Sequence, residues 1–79
     1  MRVPRDPLPE WVLTRQREVG ERIRCARRDA CLSQVALAER IGRDHKTVHR
    51  WETASTVPSL VDLLLLADVL GVPLPDLVR

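Results

Sequence analysis

The sequence contains no phenylalanine and no tyrosine among its 79 residues, and two tryptophans, Trp11 and Trp51, are its aromatic side chains. A core must therefore be built mainly from leucine, valine, isoleucine and alanine. A chain this short has room for a single domain with one small core, which excludes a two-domain enzyme. With 44% apolar and 30% charged residues, the composition is typical of an ordered globular domain and not of a disordered tail.

Cysteine is scarce, and the two present, Cys25 and Cys31, are six positions apart. On a helix this spacing leaves their side chains about 120° apart around the axis, so we expect no disulfide between them. The sequence also shows no charged-then-apolar leader and no apolar run of about 18 residues. We therefore expect a cytoplasmic protein without a membrane segment, in which reduced thiols are a further reason to expect no disulfide.

The net charge is only +2, but the charges are unevenly distributed. Residues 1–31 carry eight arginines against five acids, whereas residues 59–79 carry one arginine against three aspartates. A basic front and an acidic back are compatible with a polyanionic partner on one side of the domain.

Proline is concentrated at the beginning of the chain, where it favours a flexible, extended arm over residues 1–9. Beyond the arm no segment alternates with period two, so the fold class is all-α. We predict one domain over residues 10–79, with helices near 10–30, 33–41, 45–53, 59–70 and 75–78. Gly20 should weaken the first helix, so that the stretch before it frays or bends.

Capping residues mark where these helices begin and end. Ser33 and Asp44 can accept bonds from the free N–H groups of the second and third helices, and Gly42 can end the second. Ser59 followed by Asp62 matches a capping box for the fourth helix. Because only a tight turn fits between Gly42 and Asp44, the second and third helices must meet at a steep angle.

Apolar spacing predicts the buried sides of the second and fourth helices. The residues expected to face inward from the second helix are Val35, Leu37, Ala38 and Ile41. Those expected to face inward from the fourth are Leu60, Leu63, Leu64, Ala67 and Leu70. The fourth helix has a second apolar stripe, formed by Val61, Leu65 and Val69. This stripe needs a cover, which could be Trp11 and Leu13, the last turn with Leu74 and Val78, or a second copy of the chain.

The third helix has one apolar and one polar side. At about 100° per residue, Val48 and Trp51 point to one side and place Trp51 in the core, while Lys46, His49 and Arg50 point to the other. Arginine and lysine suit O6 and N7 of guanine, and a neutral histidine can donate or accept one bond. A solvated helix face without a partner would show the same pattern, so the pattern alone leaves both interpretations open.

The stretch LSQVALAERIGRDHKTVHRWETASTVPS combines two short helices, a turn glycine and a Pro-Ser restart, which is a helix-turn-helix signature. It resembles the Cro/Xre family of DNA-binding domains, the fold of the lambdoid phage repressors, over about Val19 to Leu77. The co-spaced features that carry the resemblance are Arg27, Leu32-Ser33-Gln34, Leu37-Ala38, Ile41-Gly42, Val48, Trp51-Glu52, Pro58-Ser59 and Leu70-Gly71-Val72. The resemblance implies a compact five-helix, lambda-repressor-like domain. Its implied function is sequence-specific binding of double-stranded DNA by a repressor-like transcription regulator, with helix 45–53 in the major groove.

The resemblance also implies which residues contact DNA: Gln34, Arg43, His45, Lys46, Thr47, His49 and Arg50. Bases would be read by His45, Lys46 and Arg50, joined by His49. The remaining three, Gln34, Arg43 and Thr47, would contact the DNA backbone. Gln34 would contact a phosphate at the start of the second helix and bond to His45.

Two further family features concern how the third helix is held. Arg27 and Glu52 lie at the edges of their apolar stripes, so they can pair where the first and third helices cross and fix the tilt of the third. The family usually has glycine two positions after this glutamate, where this chain has Ala54. Because alanine does not enter a left-handed cap freely, we expect the loop 53–57 to take another path.

Other functions agree less well with the sequence. An enzyme is not expected, because a domain this small has no room for a ligand pocket of about 300 Å³ and shows no converging nucleophile, base and acid. His45 and His49 have the spacing of zinc ligands, but no cysteine or carboxylate completes a set, so we expect no metal, cofactor or small-molecule substrate. The alternative that stays open is a helix-turn-helix protein–protein adaptor or antitoxin-type partner. On DNA we expect a homodimer.

Overall fold

The computed structural model describes residues 7–79, and within them the chain forms five helices and no strand. The helices are α1 (Glu10–Asp29), α2 (Gln34–Ile41), α3 (His45–Glu52), α4 (Leu60–Leu70) and α5 (Pro75–Val78). The predicted all-α, five-helix fold is confirmed. Residues 1–6 of the predicted flexible arm lie outside the described residues, and the exposed segment 7–9 leads directly into α1. No helix in the described range is both long and apolar enough to cross a bilayer.

Local side-chain caps start three of the helices, as the sequence predicts. The Ser33 hydroxyl accepts the N–H of Ala36 at 3.0 Å, and the Asp44 carboxylate accepts the N–H of Lys46 at 2.7 Å. At α4 the Ser59 hydroxyl accepts the Asp62 N–H at 3.1 Å while the Asp62 carboxylate accepts the Ser59 N–H at 3.0 Å. This reciprocal pair is a complete capping box.

Four helix ends close through a residue in the left-handed conformation: Cys31, Gly42, Ala54 and Gly71. Ala54 has φ of 60°, so the expectation that its loop would take another path is wrong. The reason is that the N–H of Ala54 donates to Trp51 O at 3.2 Å and that of Ser55 to Arg50 O at 2.9 Å. These two bonds satisfy the last carbonyls of α3 and offset the cost of the conformation.

The core is a single cluster to which all five helices contribute. Its fully buried members are Ile23, Leu37, Val48, Leu66 and Leu77. Trp51 is also buried, as predicted, and gives the cluster its one large aromatic ring.

α1 runs without a break through Gly20, so the predicted weak point is wrong. Gly20 is buried, and a Cβ added to it would lie 2.5 Å from the carbonyl oxygen of Trp51. The missing side chain lets α1 pack directly on the backbone at the end of α3. The tertiary contact, and not flexibility, accounts for the glycine.

Two predicted inward faces are wrong in part. Val35 is exposed, because it lies about 160° around the α2 axis from the buried Leu37. In α4 the inward-facing residues are Leu63, Leu66, Ala67 and Leu70. Leu60 is 64% exposed, Val61 59% and Leu64 50%, and these three residues form a strip on one side of the helix, the α4 strip. Periodicity could not choose the buried side, since all residues of α4 except Asp62 and Asp68 are apolar.

The second predicted stripe of α4 divides between core and surface. Leu65 and Val69 are half-buried and pack against the core, whereas Val61 belongs to the exposed α4 strip. Trp11 does not cover this strip; it is itself exposed and lies instead along an apolar groove beside Val57, Leu63 and Val78.

Candidate nucleic-acid interface

The exposed side of α3 carries the polar residues that the sequence singles out. His45, Lys46, His49 and Arg50 are all exposed, and Thr47 is half-buried. Val48 and Trp51 on the opposite side are buried in the core, so the predicted division of the helix is confirmed. α3 can therefore be approached from solvent without losing its anchor.

An ion pair between α1 and α3 sets the position of this helix. Arg27 Nε donates to Glu52 Oε2 at 2.7 Å, and Nη2 donates to Oε1 at 3.0 Å, which makes the pair bidentate. Arg27 Nη1 also donates to the carbonyl of Leu32 at 2.8 Å. The side chains are only 11% and 2% exposed, and hydrogen bonding to Glu52 raises the pKa of Arg27 further above its usual value. The predicted pair is confirmed.

Gln34 begins α2, but its side chain does not reach His45 as expected. Its Nε2 donates to Glu52 Oε1 at 3.1 Å and lies 3.4 Å from Nδ1 of His49. The expected bond to His45 is wrong because the buried carboxylate draws the amide towards the last turn of α3. Gln34 thus joins the start of α2 to the far end of the exposed helix face.

Arg43 ties the turn between α2 and α3 to the start of α4. Its Nε donates to Asp62 Oδ1 at 2.9 Å, and its Nη2 lies 2.8 Å from the same oxygen. Burial acts to raise the pKa of Asp62, but hydrogen bonds from Ser59 and Arg43 outweigh it and hold the pKa below its ordinary value. The Arg43 side chain remains 38% exposed, so its charge still reaches the solvent on this side.

The basic side chains on the exposed face of α3 differ in whether an acidic residue lies beside them. Within residues 7–79, no carboxylate pairs with Lys46 or Arg50. His45 has Asp44 as its neighbour, with 3.6 Å between Nδ1 and Oδ1. Lys46 and Arg50 are therefore available to an external anion or to base acceptors.

Two arginines of α1 adjoin this face and were not selected from the sequence. Arg24 and Arg28 line a shallow groove together with Gln34, His49 and Thr53. Arg24 also makes a 3.4 Å contact with Glu21, a pair that is largely exposed and therefore weak. The sequence signal was their i, i+4 spacing on the side of α1 that carries Arg27.

The described part of the chain holds no group of three or more histidine, cysteine or acidic residues arranged for a metal ion. Cys25 and Cys31 are both free and exposed.

A family model for the helix-turn-helix domain matches residues 18–79. The chain belongs to this family. The crystal structure of the restriction-modification controller protein C.AhdI from Aeromonas hydrophila is 33% identical to it with a TM-score of 0.77. That match covers 81% of this chain and 97% of the controller protein. No curated protein sequence matches the chain.

These similarities confirm the predicted Cro/Xre-like helix-turn-helix fold and the function of a DNA-binding transcription regulator. In this family the second helix of the motif, here α3, is the recognition helix. The matched region begins at residue 18, whereas α1 begins at Glu10. The first two turns of α1 thus precede the part shared with the family model.

Proposed function

We propose that this helix-turn-helix domain reads duplex DNA by placing the exposed side of α3 in the major groove. Lys46 and Arg50 donate to base acceptors, together with His45 on the first turn and His49 one turn later. The observation that carries the proposal is that Lys46 and Arg50 are exposed and unpaired within the described chain, while Val48 and Trp51 hold the other side of the helix in the core. Rigid support of this kind is what base recognition requires.

Backbone contacts come from the surroundings of α3. The N–H groups of Gln34 and Val35 at the start of α2, next to the Ala36 N–H that Ser33 already accepts, form a phosphate site at the positive end of the helix dipole. Thr47 and the exposed edge of Arg43 contact the DNA backbone beside α3, and Arg24 and Arg28 extend the positive surface along α1. These contacts fix the register of the domain on DNA without reading sequence.

The domain acts as a homodimer through the α4 strip. Leu60, Val61 and Leu64 are large apolar side chains that stay exposed together on one side of α4. A twofold partner would bury them. Such a dimer places two copies of α3 about 34 Å apart and requires a palindromic site.

Sedimentation should show a dimer for the parent and a monomer for Leu64→Glu. Val35→Glu, an exposed change on α2, should stay dimeric. A monomeric parent at high micromolar concentration would remove the dimer.

The kind of regulator we propose is a restriction-modification controller, on the strength of the match that covers nearly all of C.AhdI. It acts as a binding protein without catalysis, and its DNA ligand supports the expected cytoplasmic location. Binding sites recovered for the protein should then lie beside restriction or methylation genes.

The test is selection from randomised duplexes followed by footprinting and a salt titration. We expect a palindromic motif with half-sites one helical turn apart. We also expect an affinity that falls by roughly 0.9 log units per log unit of salt for each phosphate contacted. If the protein is instead a protein–protein adaptor, the selection should recover no motif, because the polar side of α3 would have no role in DNA binding.

A further inference from the structure

The side-chain amide of Gln34 lies between two acceptor-bearing groups on consecutive turns of α3. Its Nε2 is 3.1 Å from Glu52 Oε1 and 3.4 Å from His49 Nδ1. The two contacts use the same nitrogen, which carries two hydrogens. Gln34 can therefore serve both neighbours only as a donor.

The orientation of this amide is fixed by the ion pair beneath it. Glu52 is held by two hydrogen bonds from Arg27, and an ionised carboxylate can accept but not donate. If the amide were turned over, its oxygen would face the Glu52 oxygen, leaving two acceptors in contact in a buried place. The nitrogen must face Glu52, and so the nitrogen also faces His49.

We infer that Gln34 fixes the tautomer of His49. Because the amide nitrogen donates, Nδ1 of a neutral His49 must accept, and its proton must then lie on Nε2. The chain of contacts from Arg27 through Glu52 and Gln34 thus determines that His49 offers an N–H donor on the side of its ring away from Gln34. Gln34 is a positioning residue, and His49 is the group it positions.

This assignment limits what His49 can read, and it rests on the proposed placement of α3 in the major groove. An Nε2–H donor can bond to N7 of a purine, O6 of guanine or O4 of thymine. It cannot bond to the amino groups of adenine or cytosine, which are donors themselves. We therefore expect the base opposite His49 to be selected for an acceptor.

The tautomer can be measured without DNA from the ring-nitrogen shifts of the protein, recorded on the neutral form of each imidazole. The chain has two histidines, so His45, whose Nδ1 lies near Asp44 and not near Gln34, is an internal reference. In the parent we expect His49 to be wholly Nε2-protonated. Gln34→Ala and Gln34→Leu both remove the donor without placing a second carboxylate against Glu52, so each should leave a mixture of tautomers.

Identical His49 ring shifts in the parent and both variants would overturn the inference, whether or not the protein binds DNA. The DNA arm uses the selected duplex with a single analogue at a time: 7-deaza purines, which remove N7, 6-thioguanine, which replaces O6 by the weaker acceptor sulfur, or 4-thiothymine, which does the same at O4. Removing the acceptor opposite His49 should weaken the parent about tenfold and leave His49→Ala unaffected. If every analogue weakens DNA binding by the parent and by His49→Ala equally, His49 reads no acceptor. If neither protein binds any selected duplex, the failure lies with the proposed function.

Discussion

Gly20 of α1 lies against the backbone of Trp51 in α3, so closely that an added Cβ would come within 2.5 Å of the Trp51 carbonyl oxygen and 2.9 Å of that of Glu52. Both oxygens belong to backbone at the end of the recognition helix and cannot rotate away. The contact therefore sets the distance between α1 and α3, and Arg27 with Glu52 sets the angle nearby.

Gly20→Ala should destabilise the domain, although alanine is the better helix former by up to about 1 kcal/mol. The added methyl group forces α1 and α3 apart, and overpacking of this kind costs about 1–3 kcal/mol. Urea unfolding of the variant measures the change. Glu18→Ala, an exposed substitution on the same helix, should stay within about 0.5 kcal/mol of the parent. A Gly20→Ala protein as stable as the parent would show that the two helices do not meet as described.

Replacing one partner of the Arg27–Glu52 pair should destabilise the domain more than replacing both partners with apolar residues. Glu52→Leu leaves the Arg27 charge poorly solvated, and loss of one partner of a buried pair costs about 3–5 kcal/mol. The double variant Arg27→Met with Glu52→Leu should recover part of this loss, because no unpaired charge remains. Thermal unfolding of the two single variants and the double variant gives the coupling. Strictly additive losses would contradict a direct interaction.

The stability of the domain should fall at acid pH partly through Asp62. Its pKa is lower in the folded protein than in the unfolded chain, so its contribution is present above the unfolded value and is lost as the pH falls through the folded one. We expect the free energy of unfolding to decrease below about pH 4, and Asp62→Asn to be less stable than the parent at neutral pH but to lose less on acidification. Asp68→Asn, on the exposed side of α4, is the control. Parallel pH profiles for the parent and Asp62→Asn would contradict the assignment.

Within residues 7–79 two non-glycine residues have left-handed backbone, and replacing either with glycine should stabilise the domain. Cys31 and Ala54 have φ of 58° and 60°, a conformation that costs an L-residue about 1–2 kcal/mol. Glycine removes that cost but raises the entropy of the unfolded chain, so each change to glycine should gain roughly 0.5–1 kcal/mol. Ala30→Gly, where φ is −82°, should gain nothing. Equal effects at Ala30 and Ala54 in urea unfolding would rule out the conformational explanation.

The parts of the fold that the sequence predicts are those decided within a few residues. The caps at Ser33, Asp44 and Ser59 bond to N–H groups two or three positions away, so their signals are local. The two sides of α3 were predictable for a similar reason, since its polar and apolar residues separate cleanly around the axis.

The features that the sequence did not predict depend on contacts between distant segments. The partners of Gln34 were missed because they depend on a carboxylate 18 positions away. The buried side of α4 was hidden by apolar residues all around the helix, and the role of Gly20 becomes apparent only when α3 is packed against it. The left-handed Ala54 is an exception, because the backbone bonds that close α3 are local, and it was missed because alanine disfavours this conformation.

The measurement that tests the central claim most directly is fluorescence anisotropy of the parent, Lys46→Ala and Arg50→Ala on the selected duplex and on a scrambled one. Arg79→Ala, which removes one positive charge just after α5 and not on α3, is the control. We expect Arg50→Ala to lose about 1–3 kcal/mol of binding free energy on the selected duplex and much less on the scrambled one, while Arg79→Ala behaves as the parent. If Lys46→Ala and Arg50→Ala bind both duplexes as the parent does, α3 is not the surface that reads DNA.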